Sequence, residues 1–211
     1  VGATYEKGIS GRCLNFSGTG QYVNVGRADN AINTMVSSFS VSFWIQGNSA
    51  GSMDTRRAVS ARDDNTGAFE IAPRNDVISI LFGNGTSLSH QDVGTTNIDD
   101  GSWHHIVVVK SGSVAKVYVD SKFDGEHDFG FGDIETTENL SIGSSGTSSS
   151  EDSLNGSMDE VRFYTQAIGE NEIRALYLYP AGNGDGIISA NQLVTGQIQS
   201  TNLDRGSGTY T

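Results

Sequence analysis

Short apolar runs alternate with clusters of glycine, serine and asparagine along most of this chain. The clearest runs are CLNF (13–16), YVNV (22–25), FSVSFWI (39–45), RAVSA (57–61), AFEIA (68–72), VISILF (77–82), WHHIVVV (103–109), VAKVYV (114–119), NLSIG (139–143) and MDEVRFY (158–164). Short runs bounded by turn residues are typical of β-strands. About ten of them at this spacing predict an all-β, antiparallel protein, either a sandwich or a jelly roll.

Two further features complete the predicted domain. The runs at 103–110 and 114–119 are joined by Ser-Gly-Ser, which predicts a compact hairpin. The segment 170–178 has apolar residues at helical spacing, which predicts one short terminal helix. These residues are Ile173, Leu176 and Tyr177.

Residues 180–211 follow a different pattern. Their aliphatic residues recur only every fifth position, at Ile188, Leu193, Ile198 and Leu203. So sparse a pattern buries too little apolar surface to offset the entropy of ordering one copy. We therefore expect a jelly-roll domain at 1–179 and an extended tail at 180–211. The tail is either disordered or part of an assembly in which several chains share a core.

The net charge of the chain argues against some classes of binding partner. The chain has 25 acidic and 13 basic side chains, for a net charge of −12. Such a surface repels phosphate backbones, so we expect no nucleic-acid partner, and it tolerates bound cations.

No stretch approaches the ~20 apolar residues of a membrane span, so we expect no membrane insertion. The chain starts at Val1 without a signal-type segment, as a mature or excised piece would.

The residues that could perform catalysis or bind zinc do not form complete motifs. His104 and His105 are adjacent on a predicted strand and face opposite ways, so they cannot share one zinc ion without distortion. The run EHDF (126–129) resembles the start of the E-x-D-x-x-E signature of jelly-roll glycosidases, but its third carboxylate is missing. Cys13 in a strand-like run predicts a buried, inert thiol. We therefore expect a protein that is not an enzyme.

The segment 182–193, GNGDGIISANQL, is similar to an EF-hand loop from its third position onward. Ala181 and Gln192 stand where the loop needs its first carboxylate and its bidentate glutamate. A turn leading into the tail is the favoured interpretation.

Candidate ligand-binding residues lie in the loop from Gly47 to Gly67. Arginine and short polar side chains suit bidentate hydrogen bonding to sugar hydroxyls or carboxylates, although an ordinary solvated loop has the same composition. The candidates are Arg56, Arg57, Arg62, Asp63 and Asn65. Trp44 is a further candidate, as a stacking platform for a sugar ring. Both tryptophans lie within long apolar runs, so core burial is the favoured interpretation for Trp44 and, more strongly, for Trp103.

A carboxylate opens the last predicted strand. Alternation along 158–164 places Asp159, Val161 and Phe163 on one face, which looks core-directed. A buried ionised carboxylate is costly unless it is paired, hydrogen-bonded or bound to a metal. Asp159 therefore needs a partner.

Several motifs together resemble LamG-like, concanavalin A-like jelly-roll domains. They are GRCLNFSGTGQYVNV (11–25), FSVSFWIQG (39–47), WHHIVVVKSGSVAKVYVDSK (103–122) and NGSMDEVRFYTQAIGENEIRALY (155–177), and the resemblance spans about residues 10–178. It implies a two-sheet sandwich that serves in carbohydrate or protein recognition on extracellular surfaces. It also implies a structural calcium ion held by Asp159 against the 17–21 turn, with Ser17 and Gly20 as further ligands. The alternative is that Asp159 accepts hydrogen bonds from backbone amides at a strand end.

The tail has a resemblance of its own. ISANQLVTGQIQSTNLDRGSGTY is similar to segments of bacteriophage tail fibres, where polar strands intertwine as trimers. This resemblance implies a homotrimer through the tail. The leading hypothesis is a recognition domain of a phage tail that binds a cell-surface glycan or polysaccharide of the host, on a virion or outside a cell. The alternatives are a structural decoration domain without a small ligand, a secreted bacterial adhesin, and a polysaccharide-degrading enzyme.

Overall fold

The computed structural model describes residues 2–27, 37–49, 51, 53–54, 56–62, 66–145 and 153–181. These residues form two antiparallel sheets and one helix, which confirms the predicted all-β sandwich. The 180–211 tail falls almost wholly outside the described residues, so its proposed extended structure stays a prediction. Among the helices described, none is long and apolar enough to cross a membrane.

The seven-stranded sheet has the order β1-β2-β13-β4-β9-β10-β11. Its strands are β1 (Thr4–Lys7), β2 (Arg12–Ser17), β4 (Ser38–Gly47), β9 (His104–Ser111), β10 (Val114–Val119), β11 (Lys122–Asp128) and β13 (Asn155–Tyr164). The predicted hairpin is confirmed as β9 and β10, which pair from Val114 and Ser111 onward.

The six-stranded sheet has the order β3-β12-β5-β6-β7-β8. Its strands are β3 (Val23–Arg27), β5 (Val59–Arg62), β6 (Ala68–Arg74), β7 (Val77–Gly83), β8 (Leu88–Asp92) and β12 (Asn139–Ile142). Each sheet is thus built from strands distant in sequence, as expected for a jelly roll.

The main core lies between the sheets, because alternate residues of each strand face inward. From the seven-stranded sheet, Phe39 and Phe43 enter the core, and from the six-stranded sheet Phe69 and Phe82 meet them. Phe39 lies edge-on to Phe69 and Phe82, with centroids 5.6 and 5.8 Å apart. Each fully buried ring contributes about 1.5–3 kcal/mol from its removal from water.

The helix α1 (Glu170–Leu178) confirms the predicted terminal helix and covers the outer face of the seven-stranded sheet. A second, smaller apolar cluster forms beneath it and the segment that leads into it. The members of this cluster are Val107, Val109, Tyr118, Ile168 and Ile173, with Tyr164 and Leu176 against them. The seven-stranded sheet is therefore packed on both faces along its middle.

The strand β13 contains a bulge that changes which face Asp159 occupies. Asp159 pairs with Trp44, but the next pair is Arg162 with Ser42, so two residues of β13 oppose Phe43 alone. Glu160 takes the positive φ of 50° that this bulge requires. The prediction that Asp159, Val161 and Phe163 share one face is therefore wrong. Asp159 lies on the outer face beside Trp44, whereas Val161 and Phe163 pack against the core.

A lysine side chain is buried at one end of the sandwich. Lys110 is fully shielded from solvent, and its Nζ donates to the carbonyls of Gly112 and Gly132. Burial lowers the pKa of Lys110 below its usual value. The two carbonyls solvate the ammonium in place of water, and they tie the 129–134 segment to the β9–β10 turn.

Candidate functional site

A row of side chains that are polar except for Leu81 crosses the outer face of the six-stranded sheet. The backbone pairing aligns Ser141 with Ser60, Ser60 with Glu70, Glu70 with Leu81, and Leu81 with His90. Directly paired residues share a face, so these side chains form one continuous line across five strands. Glu70 retains only 6% of its surface exposure although it lies on the outer side of the sheet.

Two arginines from β5 and its preceding segment surround the Glu70 carboxylate. Arg57 Nε donates to Glu70 Oε2 at 2.6 Å, and Ser60 Oγ donates to the same oxygen at 3.4 Å. Arg62 NH1 lies 3.9 Å from this oxygen, and its side chain is 35% exposed. Arg57 thus fixes the carboxylate, while Arg62 presents much of its guanidinium to solvent.

The far end of the row is completed by an arginine and a histidine. Arg74 NH1 lies 2.8 Å from His90 Nδ1, and Ser79 Oγ lies 2.7 Å from His90 Nε2. Desolvation and the neighbouring Arg74 lower the pKa of His90, with Glu70 and Asp92 acting in the opposite direction. His90 therefore serves as a neutral donor and acceptor at pH 7.

We call Arg57, Arg62 and Arg74, with Glu70 and His90, the arginine cluster. Arg57 and Arg62 contact the Glu70 carboxylate, and Arg74 contacts His90 on the same face, on a chain whose net charge is −12. Each guanidinium offers up to five planar N–H donors, and Glu70 adds an acceptor between them. Alternating donors and acceptors on a fixed sheet surface match the hydroxyl and carboxylate groups of a sugar better than those of an apolar ligand.

The sequence located part of this cluster. The candidates Arg57 and Arg62 both approach Glu70, a contact that the sequence did not predict, and Arg56 is partly buried next to Arg57 in the chain. The candidates Asp63 and Asn65 lie outside the described residues, so their role stays a prediction. Glu70, Arg74 and His90 were missed. The alternation in AFEIAPR could have revealed Glu70 and Arg74 as outward-facing residues of one strand.

Trp44 does not offer a stacking surface for a sugar. Its ring is 7% exposed and stacks on Tyr177, with centroids 5.5 Å apart and an interplanar angle of 16°. His105 lies against it at 5.1 Å. The candidate role is therefore corrected to the core alternative, because α1 covers this part of the sheet. Trp103, which was expected in the core, is only partly buried.

Asp159 has partners that account for its burial. Its Oδ2 accepts from the Ser10 amide at 2.9 Å and its Oδ1 from the Glu160 amide at 2.9 Å. Gly8 packs so closely that a Cβ there would collide with Asp159 Oδ2. The alternative of backbone hydrogen bonding at a strand is thus the arrangement observed.

The structure does not bring Ser17 and Gly20 to Asp159. Ser17 pairs with Asn155, four residues away from Asp159 along β13, or about 13 Å at strand spacing. The Gly20 amide donates instead to Ser153 Oγ at 2.8 Å. The ligand set of Asp159, Ser17 and Gly20 is therefore wrong, since these residues occupy different ends of the sandwich. Calcium binding by the chain stays a prediction.

The remaining candidates for metal binding or thiol chemistry are the histidines and Cys13. No group of three or more His, Cys, Asp or Glu side chains in the described part of the chain is arranged to hold a metal ion. His104 lies between Asp120 (2.9 Å) and Asp100 (3.2 Å), and these hydrogen bonds, that of Asp120 above all, raise its pKa. Cys13 is 2% exposed, and burial raises the pKa of its thiol, as an inert cysteine requires.

Replacing Asp159 with asparagine should lower stability without involving a metal. An amide keeps one acceptor and aims N–H donors at a backbone N–H, so we expect a loss of about 1–3 kcal/mol in the free energy of unfolding. Urea denaturation measures this, and the exposed Glu138→Gln is the control for loss of one charge. A second experiment, calorimetric titration of EDTA-stripped protein with calcium, tests whether Asp159 binds the ion. Heat that disappears specifically in Asp159→Asn would contradict this assignment and restore a calcium role.

A family model matches residues 17–174 of the chain, which is about three quarters of its length. Its description is Laminin_G_3, of the concanavalin A-like lectin/glucanases superfamily. The chain belongs to this family. The match contains the arginine cluster and nearly all of the sandwich, and it confirms the LamG-like resemblance of the motifs. It ends before the tail, whose resemblance to phage fibres stays a prediction.

Solved structures of low sequence identity share the fold of this Laminin_G_3 domain. Domain 4 of AbnA, a GH43 extracellular arabinanase from Geobacillus stearothermophilus solved with arabinotriose, is 18% identical with a TM-score of 0.65. The alignment covers 84% of this chain and 82% of that one. The CBM40 of Ruminococcus gnavus IT-sialidase, bound to α2,3 sialyllactose, is 11% identical with a TM-score of 0.55, covering 75% of this chain and 99% of that one.

Another similar structure is a domain of a toxin. The binding domain of Paraclostridial Mosquitocidal Protein 1 is 13% identical with a TM-score of 0.64. The alignment covers 84% of this chain but 45% of that one. No curated protein sequence matches the chain. At these identities the likeness demonstrates the fold, and function has to be argued from the site.

Proposed function

We propose that this Laminin_G_3 domain is a non-catalytic carbohydrate-binding domain that holds glycans at the arginine cluster. The observation that carries the proposal is the Arg57–Glu70–Arg62 group on the outer face of a sheet. A buried ion pair is a weak source of stability, because desolvation offsets most of its attraction. Fixed donors and acceptors of this kind are better explained by recognition of a polar ligand.

The similar structures support this proposal. The AbnA domain was solved with arabinotriose and the CBM40 with sialyllactose, so the same sandwich holds sugars in two unrelated contexts. Each is one domain of a larger enzyme and was solved with a sugar bound, which supports a binding role for this sandwich. The sheet surface supplies a rigid frame, so little ordering entropy is lost when a sugar binds.

The positions of Glu126 and Asp128 do not support the glycosidase alternative. Glu126 lies on the exposed edge strand β11, and its Oε2 is 3.4 Å from Nζ of Lys116 on β10, where both side chains are about half exposed. Asp128 Oδ1 accepts from the Gly130 amide at 2.9 Å and caps a turn. These contacts give both carboxylates ordinary surface roles, and we propose no catalytic step for them.

Replacing Arg62 with alanine should weaken glycan binding at least tenfold while leaving stability nearly unchanged. Its side chain is the most exposed of those around Glu70, so its loss removes ligand contacts and little packing. Losing one charge-assisted bidentate contact costs about 1.5–3 kcal/mol, which is tenfold or more in affinity. A glycan array selects the ligand, and calorimetry then compares the variants. Arg62→Lys should recover only part of the affinity, since it lacks the planar fork.

The matched control is Arg12→Ala. Arg12 is also exposed but lies over the Tyr5 ring on the other sheet, 4.8 Å from its centroid. Equal losses of binding in Arg62→Ala and Arg12→Ala would point to a general charge effect rather than to the arginine cluster. Failure of the domain to retain any glycan on the array would argue against carbohydrate binding altogether.

We also propose that the domain acts outside the cell or on a virion, with a host glycan as its ligand. The extracellular arabinanase domain and the toxin binding domain support an exterior site of action. The phage-tail role and the homotrimer depend on the sequence of residues 180–211, almost all of which lie outside the described residues. Mass measurement of the full chain in solution tests the trimer, and a chain that stays monomeric would remove that argument.

A further inference from the structure

The outer face of the seven-stranded sheet has an end that α1 leaves uncovered. The helix covers Ser42 and Trp44 of β4, but Gln46, two residues further on, is partly exposed. The pairing aligns Asn15 with Ser157 and Ser157 with Gln46, so these three polar side chains form a row on this face. Because Ile45 pairs with His104, the register brings Trp103 next to Gln46 at the end of the row.

Hydrogen bonds hold the polar side chains of this row in place. Asn15 Nδ2 donates to Ser157 Oγ at 2.9 Å and to Asn48 Oδ1 at 3.0 Å. Gln46 Nε2 donates to the Gly101 carbonyl at 2.8 Å. Their carbonyl oxygens, Asn15 Oδ1 and Gln46 Oε1, accept no hydrogen bond from the described residues. Each amide is thus oriented by its nitrogen, and its oxygen can accept from a ligand hydroxyl.

Trp103 adds an aromatic surface to the same row. Unlike Trp44, which is stacked under Tyr177, Trp103 is partly exposed, and no other ring among the described residues stacks on it. A partly exposed indole beside oriented amides combines apolar area with hydrogen bonding. Neither the row nor Trp103 carries a charge. The surface therefore suits a neutral, hydroxyl-rich ring rather than an anion.

We propose that Asn15, Gln46 and Trp103 form a second binding site, for two neighbouring uncharged sugar rings of one glycan chain, with the buried Ser157 holding Asn15 in place. One ring stacks on Trp103 and donates a hydroxyl to Gln46 Oε1, and the next ring, two strands further along the row, donates to Asn15 Oδ1. This site and the arginine cluster lie on the outer faces of opposite sheets, so a single sugar ring cannot contact both. The domain then engages two glycan segments, which raises its avidity for a polymer above that of either site.

Fluorescence quenching by acrylamide tests this site directly. The chain has two tryptophans, and only Trp103 is open to the quencher, since Trp44 is 7% exposed. We expect arabinotriose or cellotetraose, added to about 10 mM, to protect the accessible tryptophan, as sites with millimolar dissociation constants would. Trp103→Phe should abolish the protectable signal. The double variant Asn15→Ala/Gln46→Ala keeps both tryptophans and should lose at least tenfold of the protection constant.

The outcomes separate this site from the arginine cluster. Arg62→Ala should leave the protection of Trp103 unchanged, even if it abolishes binding elsewhere. Protection that survives in Asn15→Ala/Gln46→Ala, or its absence with both probes, would overturn the second site. Protection that is lost in Arg62→Ala would also overturn it, because the signal would then come from the arginine cluster. Far-UV circular dichroism confirms that each variant is folded.

Discussion

Replacing Gly143 with alanine should destabilise the domain by about 3 kcal/mol or more. Gly143 ends β12 with a φ of +86°, and a Cβ there would collide with the fully buried Phe16 ring. Its amide donates to the Ala58 carbonyl at 2.9 Å and its carbonyl accepts from the Leu154 amide at 2.8 Å. The backbone is therefore held on both sides, and the collision cannot be relieved by a small shift.

The contributions of backbone strain and overpacking can be separated. Strain at a positive φ costs about 1 kcal/mol, and overpacking of a core adds about 1–3 kcal/mol. Gly112→Ala is the matched control, because Gly112 also has a positive φ but nothing lies within 4 Å of a Cβ placed there. Thermal unfolding should therefore show a several-fold larger loss for Gly143→Ala. Combining it with Phe16→Leu should recover part of the difference, and equal losses in the two glycine variants would contradict the role of Phe16.

Lowering the pH from 7 to 4 should cost the domain about 3 kcal/mol through His105 alone. Burial lowers the pKa of His105 to about 4, against the 6.5 of an unfolded chain. His105 is fully buried, its Nε2 lies 2.9 Å from Ser42 Oγ, and its Nδ1 has no partner among the described residues. The folded protein therefore keeps this imidazole neutral at a pH where the unfolded chain protonates it.

The sign of the effect follows from this difference in proton binding. Above pH 6.5 both states are neutral and His105 has no influence on stability. Between pH 6.5 and about 4 the unfolded state binds a proton at His105 and the folded state does not, so stability falls as the pH is lowered. The size follows from 1.36 kcal/mol for each unit of pKa difference. The charges that act on His105 are Asp120, which favours its protonation, and Arg162, which opposes it.

His104 should act in the opposite direction. Its pKa is raised by Asp120 first and then by Asp100, so its stabilisation is fully present below pH 6.5 and is lost as the pH rises through its folded pKa. The two histidines together predict that stability declines on both sides of a maximum near pH 6–6.5. Adjacent residues on one strand thus have opposite pH dependences, because one contacts two carboxylates and the other lies beneath a helix.

Urea denaturation at pH 7.5, 6.5, 5.5 and 4.5 measures this dependence. In His105→Gln the decline below pH 6.5 should become shallower, with most of the ~3 kcal/mol expected for His105 removed. His127→Gln serves as the control, because His127 is a partly buried histidine on the edge strand β11. An unchanged acid slope in His105→Gln would show that the buried imidazole does not control acid stability.

Three strands could not be recognised from the hydrophobic pattern of the sequence. β1 (Thr4–Lys7), β8 (Leu88–Asp92) and β11 (Lys122–Asp128) lack an apolar run, because much of each strand is exposed. They lie at the edges of the two sheets, where few side chains need to be hydrophobic. Apolar runs reveal strands that are buried, so the inner strands could be predicted. Of the four edge strands, only β3 was predicted, from the run YVNV (22–25).

The sites were harder to predict than the fold, and the reasons are geometric. The bulge after Asp159 adds one residue to β13, which puts Val161 and Phe163 on the core face while Asp159 stays on the outer face beside Trp44. Trp44 was a candidate stacking platform for a sugar ring, but in the folded protein α1 covers it. Glu70 was not recognised, because its role depends on Arg57 and Arg62, which approach it from β5 and the segment before β5.

The sequence by itself determined the fold class, the inner strands, the hairpin and the terminal helix, because periodicity and turn residues act over a few neighbouring positions. It also determined a net negative charge, against which a cluster of arginines stands out. The tertiary structure decided which side chains meet: Arg57 with Glu70, Asp159 with the Ser10 amide, and Asn15 with Ser157. These contacts join residues 13 to 149 positions apart, and their geometry depends on strand order and register, which local patterns do not encode.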